Sequence, residues 1–119
     1  MSNGIVVLVC GDRHWTNRIS IAKRLKQLPA NTLILHGGAR GADMLAGEEA
    51  TKLGLKVEVF PAEWEKYGQA AGPVRNVKML DMNPHLVIAF HSDLAKSRGT
   101  AHTVREARKR QIRVHLVTA

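Results

Sequence analysis

The chain has 119 residues, one cysteine, 45% hydrophobic and 24% charged residues. This fits one compact domain, residues 1–119, and excludes wholesale disorder, an internal disulfide framework and a cysteine-only metal site. Eighteen Lys and Arg against 10 Asp and Glu leave a net charge of +8, which favours anionic partners: nucleic acid, nucleotides or phosphorylated metabolites.

The first apolar run, "GIVVLVC" (4–10), reads as a strand, with Cys10 as a small buried hydrophobe. "GDRHW" (11–15) follows it. Ile21, Ala22, Leu25 and Leu28 then recur at helical spacing after Asn17, and Pro29 stops that helix. "TLILH" (32–36) is the second strand, and "HGGARGAD" (36–43) leads from it into a helical stripe of Ala42, Leu45, Ala46, Glu49, Ala50 and Leu53. The stripe is apolar but for Glu49, and Gly54 takes the usual place after its end. "KVEVF" (56–60) is the third strand. The longest irregular stretch, "PAEWEKYGQAA" (61–71), comes next, and loops of such length in small domains are often functional. In it Trp64 and Tyr67 are expected to pack the loop down. Val74, Val77 and Leu80 mark a third helix, with Pro73 in its first turn; "HLVIAF" (85–90) is the fourth strand. A last helix carries Val104, Ala107 and a basic run, before "RVHLV" (113–117).

The first, second and fourth runs are nearly continuous in Val, Ile and Leu, as in strands buried on both faces of a parallel sheet. The third and fifth alternate more and are expected nearer an edge. Strands alternating with helices predict an α/β fold: a single Rossmann-like doubly wound domain with a mainly parallel five-stranded sheet. The N-terminus lacks a signal-peptide layout, and no apolar run approaches the ~20 residues that span a bilayer. A cytoplasmic protein with no membrane partner is the expectation.

In such a sheet ligands bind beyond the carboxyl ends of the strands, where the strand order switches. The segments there are "GDRHW", "HGGARGAD", "AGPVRN" (71–76) and "HSDLAKSRGT" (91–100). Glycines allow tight turns and close ligand approach, helix N-termini favour anions, and Arg13, Arg40, Arg75 and Arg98 add forked cations suited to phosphate. The candidate ligand-binding set is Gly11, Arg13, His36, Gly37, Gly38, Arg40, Gly41, Asp43, Gly72, Arg75, Asn76, Arg98, Gly99 and Thr100. "HGGARG" is neither G-x-G-x-x-G nor a P-loop. By its own residues it is equally a phosphate cradle or a strand-to-helix turn that needs small residues. Asp12, Asp43 and Glu63 are the candidate catalytic acids. The six histidines, His14, His36, His85, His91, His102 and His115, show no zinc-type spacing, and neither metal nor cofactor is expected.

"GDRHW", "HGGARGADMLAGEEA", "FPAEWEKYGQAAGPVRNVKML" and "RGTAHTVREAR" together resemble, in order and spacing, the YspA-like branch of the SLOG superfamily over residues 5–117. The resemblance implies a Rossmann-like fold and a nucleotide-derived ligand, since the superfamily includes LOG phosphoribohydrolases, DNA-binding DprA proteins and nucleotide-sensing domains. The LOG hydrolases carry P-G-G-x-G-T-x-x-E. Here "AKSRGTAHT" (95–103) keeps Gly99 and Thr100, but Thr103 stands where the glutamate would be. Glu106 instead completes a Thr-x-x-Glu capping-box pattern with Thr103.

Three functions follow. One is binding of a nucleotide or nucleotide-derived phosphorylated ligand, as a sensor or sequestering domain. The second is a nucleotide-processing enzyme that hydrolyses an N-glycosidic or phosphate bond. The third is nucleic-acid binding through Arg105, Arg108, Lys109, Arg110 and Arg113, a run whose favoured reading is a solvated helix face with cations that suit a C-terminal dipole. A homodimer or larger homo-oligomer would suit so small a sheet.

Overall fold

A computed structural model describes residues 4–119; residues 1–3 of the expected domain lie outside the described residues. Five strands, β1 (Val6–Gly11), β2 (Leu33–His36), β3 (Lys56–Val59), β4 (Leu86–Phe90) and β5 (Arg113–Val117), form one sheet in the order β3-β2-β1-β4-β5. Every pairing is parallel, with Leu8 opposite Leu35 on one side and Val87 on the other. The three continuous apolar runs are the three interior strands, and the two alternating runs are the edges. The reason is solvation: an interior strand is covered on both faces, whereas β3 exposes Lys56, Glu58 and Val59.

Helices α1 (Arg18–Leu25) and α2 (Ala42–Lys52) cover one face, and α4 (Ala71–Leu80) and α5 (Gly99–Lys109) cover the other. The period-2 alternation of β1 shows in the two cores. Val7 and Val9 pack with Ile21, Leu25, Ala46 and Ala50; Leu8 and Cys10 pack with Met79, Leu80, Val104 and Ala107. Glu49, the one polar member of the α2 stripe, meets Arg18 of α1 at 2.7 Å and Lys52 at 3.0 Å. An ion pair between the two helices thus replaces apolar contact there.

Local sequence sets most helix ends. The Asn17 side chain accepts from the Ser20 amide and starts α1. Regular helix stops at Leu25, four residues before Pro29, and the chain tightens through Gln27 and Leu28 into turns. Gly54, at φ +78°, follows the end of α2.

Three expectations are corrected. Residues 61–71 are not irregular: they hold the short helix α3 (Trp64–Tyr67) and a 3-10 turn (Gly68–Ala70) running directly into α4. Trp64 does not pack this segment down, because a one-turn helix leaves it 61% exposed. Thr103 and Glu106 form no capping box. Both lie inside α5, where the Thr103 hydroxyl donates to the Gly99 carbonyl at 3.2 Å and Glu106 pairs with Lys109 at 3.1 Å. The Ser97 side chain caps this helix instead, accepting from the Thr100 amide at 2.9 Å. No helix among the described residues is long and apolar enough to cross a membrane.

Candidate functional site at the carboxyl edge of the sheet

The strand order reverses at β1, which lies between β2 and β4, so the crevice opens beyond Gly11 and Phe90. The Asp12 amide donates to the Phe90 carbonyl at 2.8 Å and ties the two strand ends together. Trp15 anchors the rest of this loop. Its buried ring lies 5.7 Å from that of Phe90, and its indole N–H donates to the Asn17 carbonyl at 3.0 Å. Gly11 lets α2 approach: a Cβ there would lie 2.7 Å from that of Ala42.

Hydrogen bonds link all four Gly/Arg-bearing segments. The Ala42 amide donates to the Asp12 carbonyl at 3.1 Å, joining 36–43 to 11–15. Arg75 Nη1 donates to the Gly37 carbonyl at 2.7 Å and to the Phe60 carbonyl at 3.3 Å, which joins α4 to the ends of β2 and β3. Asn76 Nδ2 reaches the Gly99 carbonyl at 3.4 Å, joining α4 to α5. One continuous surface results along the carboxyl edge.

Several candidate residues hydrogen-bond within the protein. The amides of Gly37 and Gly38, both in the candidate ligand-binding set, are engaged within the loop. The Gly37 amide donates to Asp43 Oδ2 at 2.8 Å, the Ala39 amide also reaches the Asp43 carboxylate, and the Gly38 amide donates to His36 Nδ1 at 3.0 Å. The loop therefore curls around two buried side chains of its own. Arg75 Nη1 is engaged by the Gly37 and Phe60 carbonyls, and its Nε donates to Asn76 Oδ1 at 3.0 Å. Asn76 is buried and hydrogen-bonds Arg75, the Gly99 carbonyl and His102, while the Thr100 amide donates to Ser97 Oγ. His36 is 3% exposed, and a Cβ on Gly47 would come within 2.6 Å of its Nε2.

The candidate acids separate. Asp43 is buried, and its carboxylate accepts from the Gly37 and Ala39 amides of its own loop. Burial raises its pKa from 3.8 to about 6, against the opposing amides and Arg75. Beside it, burial and then the Asp43 charge push the Cys10 thiol far above its ordinary range, so Cys10 is inert packing. Burial, then Arg75, holds His36 below the usual histidine range. Glu63 pairs with Lys78 at 3.5 Å and lines a cavity of about 130 Å³ beside Arg75, next to β3. Asp12 alone sits at the β1–β4 switch, half-buried, with Oδ1 accepting from the His14 amide at 2.8 Å.

Arg13, Arg40 and Arg98 are exposed, and among the described residues no carboxylate pairs with them. Arg13 backs directly onto Gly41, and both line an open groove of about 500 Å³ with His14, Trp15, Met44 and Leu45. Gly99 is exposed with open space around it, and Gly72 lies in the first turn of α4 near Trp64. No group of three or more His, Cys, Asp or Glu among the described residues is placed to hold a metal ion. Sequence reasoning missed Ser97, whose place three residues before Thr100 is a capping signal. It also missed His102, which meets Asn76 across 26 positions and has no local signal at all.

The pH dependence of stability tests this burial of Asp43. In the folded state Asp43 binds its proton up to about pH 6, but unfolded only up to about its ordinary value. The folded state therefore holds more protons between these values. The Asp43 contribution is full below about pH 4 and is lost as pH rises through 6, on the order of 3 kcal/mol in all. His36, shifted down, gives the opposite slope, so the parent is compared with Asp43→Asn. In urea titrations from pH 4 to 7 the variant should lose the Asp43 slope; identical pH profiles would exclude it.

Three comparisons bear on kinship. The model of the "YspA, cpYpsA-related SLOG family" matches residues 5–67, a span that holds the β1 and β2 loops of the site. The Gene 61 protein of Mycobacterium phage D29 is 36% identical over 117 residues, covering 91% of this chain and 92% of its own. In fold, DNA processing protein A (DprA) from Streptococcus pneumoniae matches with a TM-score of 0.77 over 94% of this chain at 20% identity, and this chain spans 50% of that one. With its doubly wound sheet and glycine-bearing strand ends in place, the chain belongs to the YspA, cpYpsA-related SLOG family.

Proposed function

We propose that the protein binds a nucleotide or nucleotide-derived phosphorylated ligand in the crevice at the carboxyl edge of its sheet, as a sensor or sequestering domain. One observation carries this reading: Arg13, Arg40 and Arg98 stand exposed and without carboxylate partners on the segments that meet at the strand switch. Guanidinium groups there supply charge and bidentate geometry for phosphate. The adjoining groove, with Met44 and Leu45, offers apolar surface for a base. The anion-facing part of the β2–α2 loop is its Arg40–Gly41 end.

Isothermal titration against nucleoside monophosphates and diphosphates, ADP-ribose and cyclic dinucleotides tests it. The parent should bind at least one of these, and combined Arg13→Ala, Arg40→Ala and Arg98→Ala changes should weaken binding at least tenfold. Equal binding by parent and variant, or none across the panel, overturns the reading.

The enzymatic alternative rests on Asp12, the one candidate carboxylate at the strand switch. Chromatography for free base after incubation with nucleoside monophosphates, in the parent and in Asp12→Asn, decides it. The nucleic-acid alternative finds less support on α5. There Lys109 and Arg110 pair with Glu106 and Asp81, which leaves Arg105 and Arg108 as its exposed cations without a carboxylate partner. Binding to an oligonucleotide that falls steeply with salt would favour it.

A further inference from the structure

We infer that His102 is a ligand-binding residue of this site, its imidazole locked by Asn76 and Arg75 with the proton on Nε2, where it donates to a phosphate oxygen. The inference rests on the proposed anion site and names a donor within it.

The hydrogen-bond directions form a chain. Arg75 Nε is only a donor, so the Asn76 atom it meets at 3.0 Å is the amide oxygen. That orientation turns Asn76 Nδ2 toward the Gly99 carbonyl at 3.4 Å and His102 Nδ1 at 3.3 Å. Nδ2 carries two hydrogens, one for each acceptor. His102 Nδ1 must then accept, and in the neutral ring the proton sits on Nε2. Asn76 is buried and cannot reorient without breaking all three contacts.

The other end of the ring is free to act. Among the described residues nothing hydrogen-bonds Nε2. No buried side-chain nitrogen or oxygen lacks a partner, so Nε2 of this half-buried residue is open to solvent. His102 lies one turn into α5, its amide bonded to the carbonyl of exposed Arg98 at 3.0 Å, and it shares the Asn76 amide with the Gly99 carbonyl. A fixed Nε2–H on this turn of α5 suits an anionic oxygen. Thr103, the residue after His102, is 1% exposed and turned onto its own helix. The polar group that α5 offers from this turn is therefore the neighbouring histidine.

Long-range proton–nitrogen correlation spectra of the 15N-labelled protein at pH 8 read the tautomer directly. His102 should show a bare Nδ1 and a protonated Nε2. Asn76→Asp, which replaces the donor with an acceptor, should invert it. A protonated Nδ1 in the parent overturns the proposal, as does an unchanged ring in a folded Asn76→Asp variant. Titration with inorganic phosphate supplies the second readout, which needs only the parent and the half-exposed His102 site. Phosphate should move His102 Nε2 together with the Arg98 side chain. His102→Leu should weaken phosphate five- to tenfold, and His102→Gln, which keeps an amide donor, should restore most of it. Movement of Arg13 and Arg98 without His102 overturns this inference and leaves the anion site standing. No movement at any of the three overturns both.

Discussion

Gly41→Ala should destabilise the protein by about 3–5 kcal/mol, enough to unfold much of a domain of ordinary stability. Gly41 precedes α2 at φ +71° and ψ −123°, backbone that a residue with a Cβ adopts only under strain of order 1–3 kcal/mol. A methyl group there would also fall on the Asp12 carbonyl oxygen and the Arg13 carbonyl. These atoms are backbone, and the Asp12 carbonyl is held by the Ala42 and Trp15 amides, so neither side can yield cheaply. Gly99→Ala is the internal control. It lies in the first turn of α5 with nothing within 4 Å of the added Cβ, and alanine is the better helix former. Urea denaturation should show Gly99→Ala at or slightly above parental stability and Gly41→Ala far below it. Equal, small effects would mean that the two loops do not meet.

Arg75→Met is the second large effect, a loss of about 2–4 kcal/mol. It keeps most of the alkyl stem but removes the donors to the Gly37 and Phe60 carbonyls and to Asn76. Acceptors left without partners in partly buried positions cost about 1–3 kcal/mol each, less where water can enter. Arg75→Lys should recover only part, because a single ammonium cannot bridge two strand ends and an amide side by side. A second signature separates this role from plain packing. Arg75 opposes the upward shift of Asp43, so in Arg75→Met the pH window in which Asp43 loses its stabilising effect should move above 6. A methionine variant with parental stability and an unchanged pH profile would show that Arg75 is no brace.

The reach of sequence reasoning differs between fold and site, and Arg75 shows why. Periodicity placed the strands because it is local: "GIVVLVC" and "HLVIAF" announce double-sided burial within a few residues, and both are interior. Asn17 and Gly54 worked for the same reason, since a cap acts on its neighbours. The segment 61–71 escaped because a one-turn helix with an exposed tryptophan has no apolar stripe to detect. At the site, glycine and arginine content identified the loops but not the direction of their donors. Read alone, "HGGARGAD" presents amides and a cation to solvent; folded, its first amides face Asp43 and His36.

Which strands lie inside the sheet, which segments end on its carboxyl edge, and which family the motifs resemble were all legible from sequence. Those properties follow from hydrophobic period and residue type along short stretches. The tertiary contacts alone set which of four similar arginines is tied to carbonyls and which three stay open, and that His102 meets Asn76. Arg75 meets Gly37 across 38 positions, and Asn76 meets Gly99 across 23. A hydrogen bond needs its partners within about 3 Å and in line, and no local pattern encodes which distant carbonyl the fold brings to that distance.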